Sequence, residues 1–521
     1  MSYPSTSMPG WGPQPPQPAG GSNWRRWAVL AVFCVGLTNQ HVFSLILLAG
    51  LVMFGVRVWR WGGRPLAGKL TRPTVPAEGD PLSTVLAEAS RLGGGAYLGA
   101  DRQGSWRLAR AERAVLLLGP PRSGKTSGVI IPSLLTHSGP VVCTSTKPDV
   151  QRATVSARAR LGEVWGFDPT GTSAQSRAEQ LRWSPTTSAR TWDRALLMAR
   201  AMVTGASVGV ETTDRSHWAR RAQALLASLL HASALDGGGI DKLVEWVLCH
   251  DCDEPGRILA ASEAELASGV LLGIAHTEAR ERSSIFSSAA DAIDAYTASG
   301  ALAAARDPNF DADRFVRSSA TIYIDAPAER QHLAAPLVCG LLSEIREATY
   351  RAHRQGDLHR RVLFALDEVA NIAPLDELPA IASEGGGQGI QLLAALQDLS
   401  QARGRWGPAA DGFLTLFGTK LILPGIADQR TLETVSTVLG EYDRQMLAST
   451  RTRGGHGSWV PQRSQTMSVQ RQRVLSPGEI ANIPAGRALH LDGVGWELLT
   501  LTPAHAVEPW ATLTDTSGAG R

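Results

Sequence analysis

The hydrophobic and polar positions divide the chain into unlike stretches. Residues 1–23 are uncharged and rich in Pro, Gly and Ser, a composition that buries too little apolar surface to fold. Two apolar runs follow, residues 28–37 and 42–56, separated by the polar step Thr38-Asn39-Gln40-His41 and flanked at both ends by Arg and Trp. Such flanks suit membrane anchoring. Two arrangements fit: one tilted span of about 29 residues, or a hairpin with the polar step at its tip. Polar groups at mid-bilayer are costly, and basic clusters at both ends favour a common side, so the hairpin is the expected form. The bulk of the chain is then expected in the cytoplasm, tethered to the cell membrane.

Further on, apolar runs of strand length alternate with helix-period stretches, the pattern of an α/β fold. Residues 114–118, 362–366, 389–396, 413–423 and 488–491 read as strands. Residues 215 to about 300 show few strand signals and several helical stretches, among them RRAQALLASLLHASAL and DKLVEWVLCH, so an all-helical insert is expected there. The predicted organisation is a tail (1–23), a membrane segment (24–61), a linker with the start of the main domain (62–104), a first part of that domain (105–214), the insert (215–305), a second part (306–505) and a tail (506–521).

The chemistry concentrates between the strands. Gly119, Pro120, Pro121, Arg122, Ser123, Gly124, Lys125 and Thr126 fit G-x-x-x-x-G-K-S/T, after a strand-like run and before an apolar helix that Ser127 opens. In that context the loop amides and the helix N-terminus face phosphates. Lys125 is expected to reach the β and γ phosphates of ATP, and the Thr126 hydroxyl to ligate Mg²⁺. Residues 362–366 form an apolar run ending in Asp367 and Glu368, which places two carboxylates at the C-terminal edge of a buried parallel strand. Asp367 is assigned to Mg²⁺ and Glu368 to the attacking water as general base. Gln397, after the run 389–396, either senses the γ-phosphate or caps the next helix.

These blocks resemble the type IV secretion coupling proteins of conjugation systems, the VirD4/TraG group. GPPRSGKT with IIPSLL, VVCTSTKPD, GEVWGFDPTG with RWSP, SSATIYIDAP, LDEVANIAPLDELPAI with GGGQGIQLLAALQDLSQ, and RQRVLSPGEIANIPAG occur in this order over roughly residues 95–500. The resemblance implies a P-loop NTPase of RecA-like type, with a mainly parallel central sheet, an inserted helical domain and an N-terminal transmembrane segment. It implies a membrane-bound homo-hexameric ATPase that brings single-stranded, relaxase-bound DNA to a type IV secretion channel. Lys125, Thr126, Asp367, Glu368 and Gln397 then stand at its nucleotide-site positions. One departure is the stretch Glu384-Gly-Gly-Gly-Gln388-Gly, where members of the group carry arginines that can act on a neighbour's nucleotide. Arg403, Arg405 and Arg430 are possible substitutes.

Net charge sharpens the picture only when divided. The total is +3. Residues 1–77 hold seven basic residues and no acid, residues 444–478 six arginines and no acid, and residues 236–294 twelve acids against four bases. The acidic block should repel DNA and attract basic partners. The arginine block lacks hydrophobic periodicity and reads as a long loop, in which Trp459 and the arginines suit nucleic acid. Five cysteines rule out a disulfide scaffold, and Cys249 with Cys252 has no second half-site for zinc. Two rivals remain at this level: a double-stranded DNA translocase of the FtsK type, and an ATP-binding receptor that does not hydrolyse.

Overall fold

Residues 79–170, 178–206, 213–452, 462–493 and 495–514 are described by a computed structural model. Among them no helix is long and apolar enough to cross a membrane. The predicted membrane segment, 24–61, and the N-terminal tail lie outside the described residues.

Fourteen strands run in chain order: β1 Tyr97–Ala100, β2 Trp106–Leu108, β3 Val115–Leu118, β4 Val141–Ser145, β5 Val164–Phe167, β6 Glu179–Gln180, β7 Thr321–Asp325, β8 Val362–Leu366, β9 Ile390–Leu396, β10 Thr419–Ile422, β11 Glu441–Thr452, β12 Gln462–Arg473, β13 Arg487–Asp492 and β14 Gly495–Thr500. Twelve form one sheet in the order β2-β1-β14-β13-β10-β3-β9-β8-β4-β7-β5-β6. From β10 to β6 all neighbours are parallel, and β13, β14, β1 and β2 continue the sheet antiparallel. The sheet is therefore mainly parallel, as expected.

Central strands buried on both faces explain the unbroken apolar runs. Along β3, Leu116 and Leu118 enter the core on one face while Val115 and Leu117 enter the core on the other. The second core is closed by the C-terminal helix Trp510–Leu513, whose Trp510 stacks on Trp106 with ring centroids 4.6 Å apart.

On the first face lies the helical layer. Its centre is the 24-residue helix Thr213–Asp236, surrounded by helices Trp192–Ala206, Gly239–Cys249, Asp253–Ala261, Glu265–Ala275 and Ala279–Asp291. Helix formation begins at Trp192, ahead of the range read from sequence, and Trp192–Ala206 packs against the helix Gln331–Gln355 that precedes β8.

Two sequence readings need correction. Residues 413–423 are not one strand: Phe413–Leu416 is a helical turn, and β10 starts at Thr419. Phe413 and Phe417, four apart, are both fully buried, so the apolar run serves a helical period first and a strand afterwards. The arginine-rich stretch is also no loop. Strands β11 and β12 form a separate antiparallel ribbon, in register from Glu441↔Arg473 to Thr452↔Gln462. A ribbon satisfies its own backbone hydrogen bonds, and residues 441–446 and 467–472 are exposed, so no hydrophobic alternation is left to read there. Its base is tied to helix Gln429–Leu439, where Arg473 Nη1 meets Glu433 Oε2 at 2.6 Å. Its tip, 453–461, lies outside the described residues, as do Arg453 and Trp459.

Candidate nucleotide site

Topology brings the chemical residues together. Strand β9 lies between β3 and β8, so the segments that follow these three strands emerge side by side at their C-terminal edge. After β3 comes the glycine loop, after β8 the two acids, and after β9 Gln397.

The loop depends on two glycines. A Cβ on Gly119 would lie 2.6 Å from Ser123 Oγ and 2.9 Å from Leu423 Cβ, and Gly124 has φ +97°, a region L side chains rarely adopt. Pro120 and Pro121 stiffen the turn, and Arg122 sits exposed at its tip with φ 64°. The chain then enters a helical segment that begins as a π turn, Thr126–Ile130, and continues as α-helix, Ile131–Thr136. Ser127 lies half-buried in its first turn.

Lys125 is buried, and its Nζ donates to Gly119 O at 2.5 Å and Pro120 O at 3.1 Å. Burial lowers its pKa, opposed by the nearby Asp367 and Glu368 carboxylates. Thr126 Oγ1 donates to Asp367 Oδ2 at 3.1 Å. Asp367 is also held by its backbone, whose carbonyl accepts from Thr144 Oγ1 at 2.9 Å. Burial raises the Asp367 pKa, with Lys125 pulling the other way. Glu368 has left-handed backbone, φ 48° and ψ 46°, which turns the chain sharply off the strand. Gln397 Nε2 lies 3.4 and 3.5 Å from the two Glu368 carboxylate oxygens.

The loop residues, the two acids and Gln397 therefore meet at one sheet edge, and Gln397 does not cap the next helix. Asp398 caps the following helix, Leu399–Trp406, accepting from Ser400 N and Gln401 N, so Gln397 is free to face Glu368. Sequence reasoning missed Thr144, although its block VVCTSTKPD had been noted, and Gln401, whose Oε1 accepts from Gln397 N at 2.8 Å.

The donor set fits a magnesium nucleotide. Ser123 Oγ is buried with no hydrogen-bond partner among the described residues, and Lys125 spends its ammonium on the loop's own carbonyls. Hydroxyl, ammonium and helix-start amides converge where a phosphate would sit, and Thr126 beside Asp367 offers hard oxygen ligands.

The arginines proposed from sequence divide. Arg403 is paired with Asp428 at 2.8 Å, and Arg405 donates to the carbonyls of Thr204 and Pro374. Arg430 is 66% exposed, with Asp411 at 3.6 Å. The glycine stretch lies at the opposite edge, before β9, where a Cβ on Gly386 would stand 1.8 Å from Glu112 O. No side chain fits at that position.

Known proteins are similar to this chain in sequence and in fold. The model of the type IV secretory system conjugative DNA transfer family matches residues 79–491. Conjugal transfer protein TraG of Escherichia coli is 25% identical over 373 residues, covering 64% of this chain and 56% of TraG. Protein VirD4 of Rhizobium rhizogenes is 22% identical over 340 residues, covering 63% of this chain and 50% of VirD4. The chain thus spans about half the length of these curated relatives. The conjugative coupling protein TrwB has a similar fold: its unbound form has TM-score 0.59 at 18% identity, covering 80% of this chain and 91% of that one. TrwB with the ATP analogue ADPNP also has TM-score 0.59, covering 85% and 96%. With a family model matched over residues 79–491, the chain belongs to the conjugative DNA transfer family of type IV secretory systems.

Proposed function

We propose that the chain is a membrane-anchored ATPase that couples DNA, with a bound relaxase, to a conjugative type IV secretion channel. The observation that carries this is the closure of Thr126 on Asp367, and of Gln397 on Glu368, beside Lys125 at one sheet edge. Solved structures of TrwB with ADPNP, and with ADP and Mg²⁺, support the choice of ligand.

In this reading Lys125 leaves the loop carbonyls and pairs with the phosphates. Thr126 and Asp367 hold Mg²⁺, which neutralises charge developing on the phosphate oxygens. Glu368 accepts the proton of the attacking water, and Gln397, within reach of the same carboxylate, orients that water. Six copies in a ring would bring on the order of 36 arginines from the 444–478 segment to one assembly, enough to attract a nucleic acid backbone despite a near-neutral subunit. The acidic helical insert suits basic protein cargo, and Arg430 is the exposed arginine available to a neighbour's nucleotide.

The test is ATP hydrolysis by the full chain with single- and double-stranded DNA, with Lys125→Ala as control. Single-stranded DNA should stimulate wild type and leave the variant silent. Stronger stimulation by duplex would point to the double-stranded translocase instead. Silence of both proteins at concentrations that allow hexamers would leave a non-hydrolysing receptor.

A further inference from the structure

Away from the nucleotide residues, a pocket of about 260 Å³ opens between helices Trp192–Ala206, Gln331–Gln355 and Ala312–Val316. Its lining carries four carboxylates and two arginines. Three of the carboxylates are already engaged. Asp311 caps its own helix, accepting from Asp313 N at 2.9 Å and Arg314 N at 3.1 Å. Asp313 pairs with Arg351 at 2.7 Å, and Glu347 with Arg346 at 3.1 Å.

Glu344 differs. It accepts the Trp183 indole N–H at 2.7 Å and has no ion pair among the described residues. Burial pushes its carboxyl up to about 7, against the pull of Trp183 and Arg194, with Asp311 and Asp313 reinforcing the rise. Ser188 Oγ, in the same lining, is buried without a partner among the described residues. A half-buried carboxylate held by one indole N–H and no ion pair, beside a buried hydroxyl with no partner among the described residues, leaves acceptors in one pocket that an entering donor would complete.

We propose that this pocket binds an alkylguanidinium or alkylammonium group, with Glu344 as counter-ion, Ser188 Oγ as acceptor, and Phe310 and Met198 against its methylene stem. At roughly 30 Å³ per water, the volume holds a short alkyl chain with a charged head. An anion fits less well. Arg351 is occupied by Asp313, and an anion at Arg194 would face Glu344 and Glu347. Two sources supply the cation: a free amine or guanidine, or an arginine or lysine side chain of a docked protein.

Titration calorimetry on the full chain separates them, with agmatine as the free probe, acetyl-Gly-Arg-Gly-amide as the side-chain probe and sulfate as the anion control. Agmatine should bind at pH 8 and about tenfold more weakly at pH 6, because a carboxyl titrating near 7 passes from mostly ionised to mostly protonated. Glu344→Gln keeps an acceptor for Trp183. It should leave the melting temperature near wild type, weaken binding at least about tenfold and remove the pH dependence. Ser188→Ala should weaken binding several-fold. Peptide binding at least as tight as agmatine assigns the pocket to a docked side chain, and agmatine binding alone assigns it to a free ligand. The proposal fails if neither probe binds at millimolar concentration, if Glu344→Gln binds like wild type, or if sulfate binds in their place. Should Glu344→Gln not fold, Ser188→Ala and the wild-type pH dependence decide.

Discussion

Thr126 Oγ1 donates to Asp367 Oδ2 across 3.1 Å, joining residues 241 positions apart. The bond holds a hydroxyl and a carboxylate side by side, as the proposed Mg²⁺ site requires. Thr126→Ala and Asp367→Asn should each lower Mg²⁺-dependent ATP turnover by on the order of 10²–10³ while leaving metal-free nucleotide binding largely intact. Turnover and binding of a fluorescent nucleotide, with and without Mg²⁺, measure this. Turnover within a few-fold of wild type in Asp367→Asn would remove Asp367 from the metal site.

Glu368 and Gln397 are expected to act on water rather than on binding. Glu368→Gln should lower kcat by about 10²–10⁴, the range for a lost general base, with KM little changed. Gln397→Ala should show the same split with a smaller loss. An increase in KM alone for both would assign the pair to nucleotide binding.

Arg444, Arg451, Arg463 and Arg471 lie on the two ribbon strands, with Arg444 and Arg471 exposed. Replacing Arg444, Arg451, Arg463 and Arg471 together by Ala should weaken single-stranded DNA binding. If each neutralises one phosphate, the slope of log K against log salt should flatten by up to about three. Fluorescence anisotropy over a salt series reads both. An unchanged slope assigns the ribbon to another partner.

Arg158 is fully buried, with no carboxylate partner among the described residues. Its guanidinium donates to Thr321 Oγ1 and to the carbonyls of Leu134, His137, Gly139 and Ser319. Arg158→Leu strands these acceptors and should cost about 3–5 kcal/mol of stability. Arg158→Lys should restore little, because an ammonium lacks the planar fork. Urea denaturation checks both variants.

Burial, then the charge of Arg158, depresses the His137 pKa to about 3 while its ring bonds Arg361 O at 2.9 Å. The unfolded chain takes up a proton near 6.5 that the folded chain refuses, so this histidine costs no stability above about 6.5 and a growing amount as pH falls toward 3. The slope from one such group is at most about 1.4 kcal/mol per pH unit. His137→Gln should flatten the acid limb of the stability curve, measured by denaturation between pH 7 and 4. Asp325, raised to about 6 mainly by burial, acts in the opposite sense, losing stability as pH rises from about 3.8 to 6.

Much of the site was legible because its constraints are local. Gly119, Gly124, Lys125 and Thr126 lie in one short loop, as the proposed phosphate site requires, and Asp367 and Glu368 follow an apolar run because that run is a buried parallel strand. The ribbon was not legible, since two strands that pair with each other outside the main sheet need no hydrophobic period. The helical turn Phe413–Leu416 was hidden because a short apolar run serves either period, and only packing decides.

By itself, then, the sequence determined the glycine loop and the strand-end carboxylates proposed for phosphate chemistry, the alternation of strands and helices, and the family. The tertiary structure decided what depends on strand order and on long-range neighbours. It inserted β9 between β3 and β8, which put Gln397 against Glu368. It buried Arg158 among backbone carbonyls, engaged Arg403 and Arg405, and brought Glu344, without an ion pair among the described residues, into one pocket with the Ser188 hydroxyl. The physical reason is the same in each case. Burial and partnership belong to pairs of segments far apart in the chain, and no single segment encodes which neighbour will meet it.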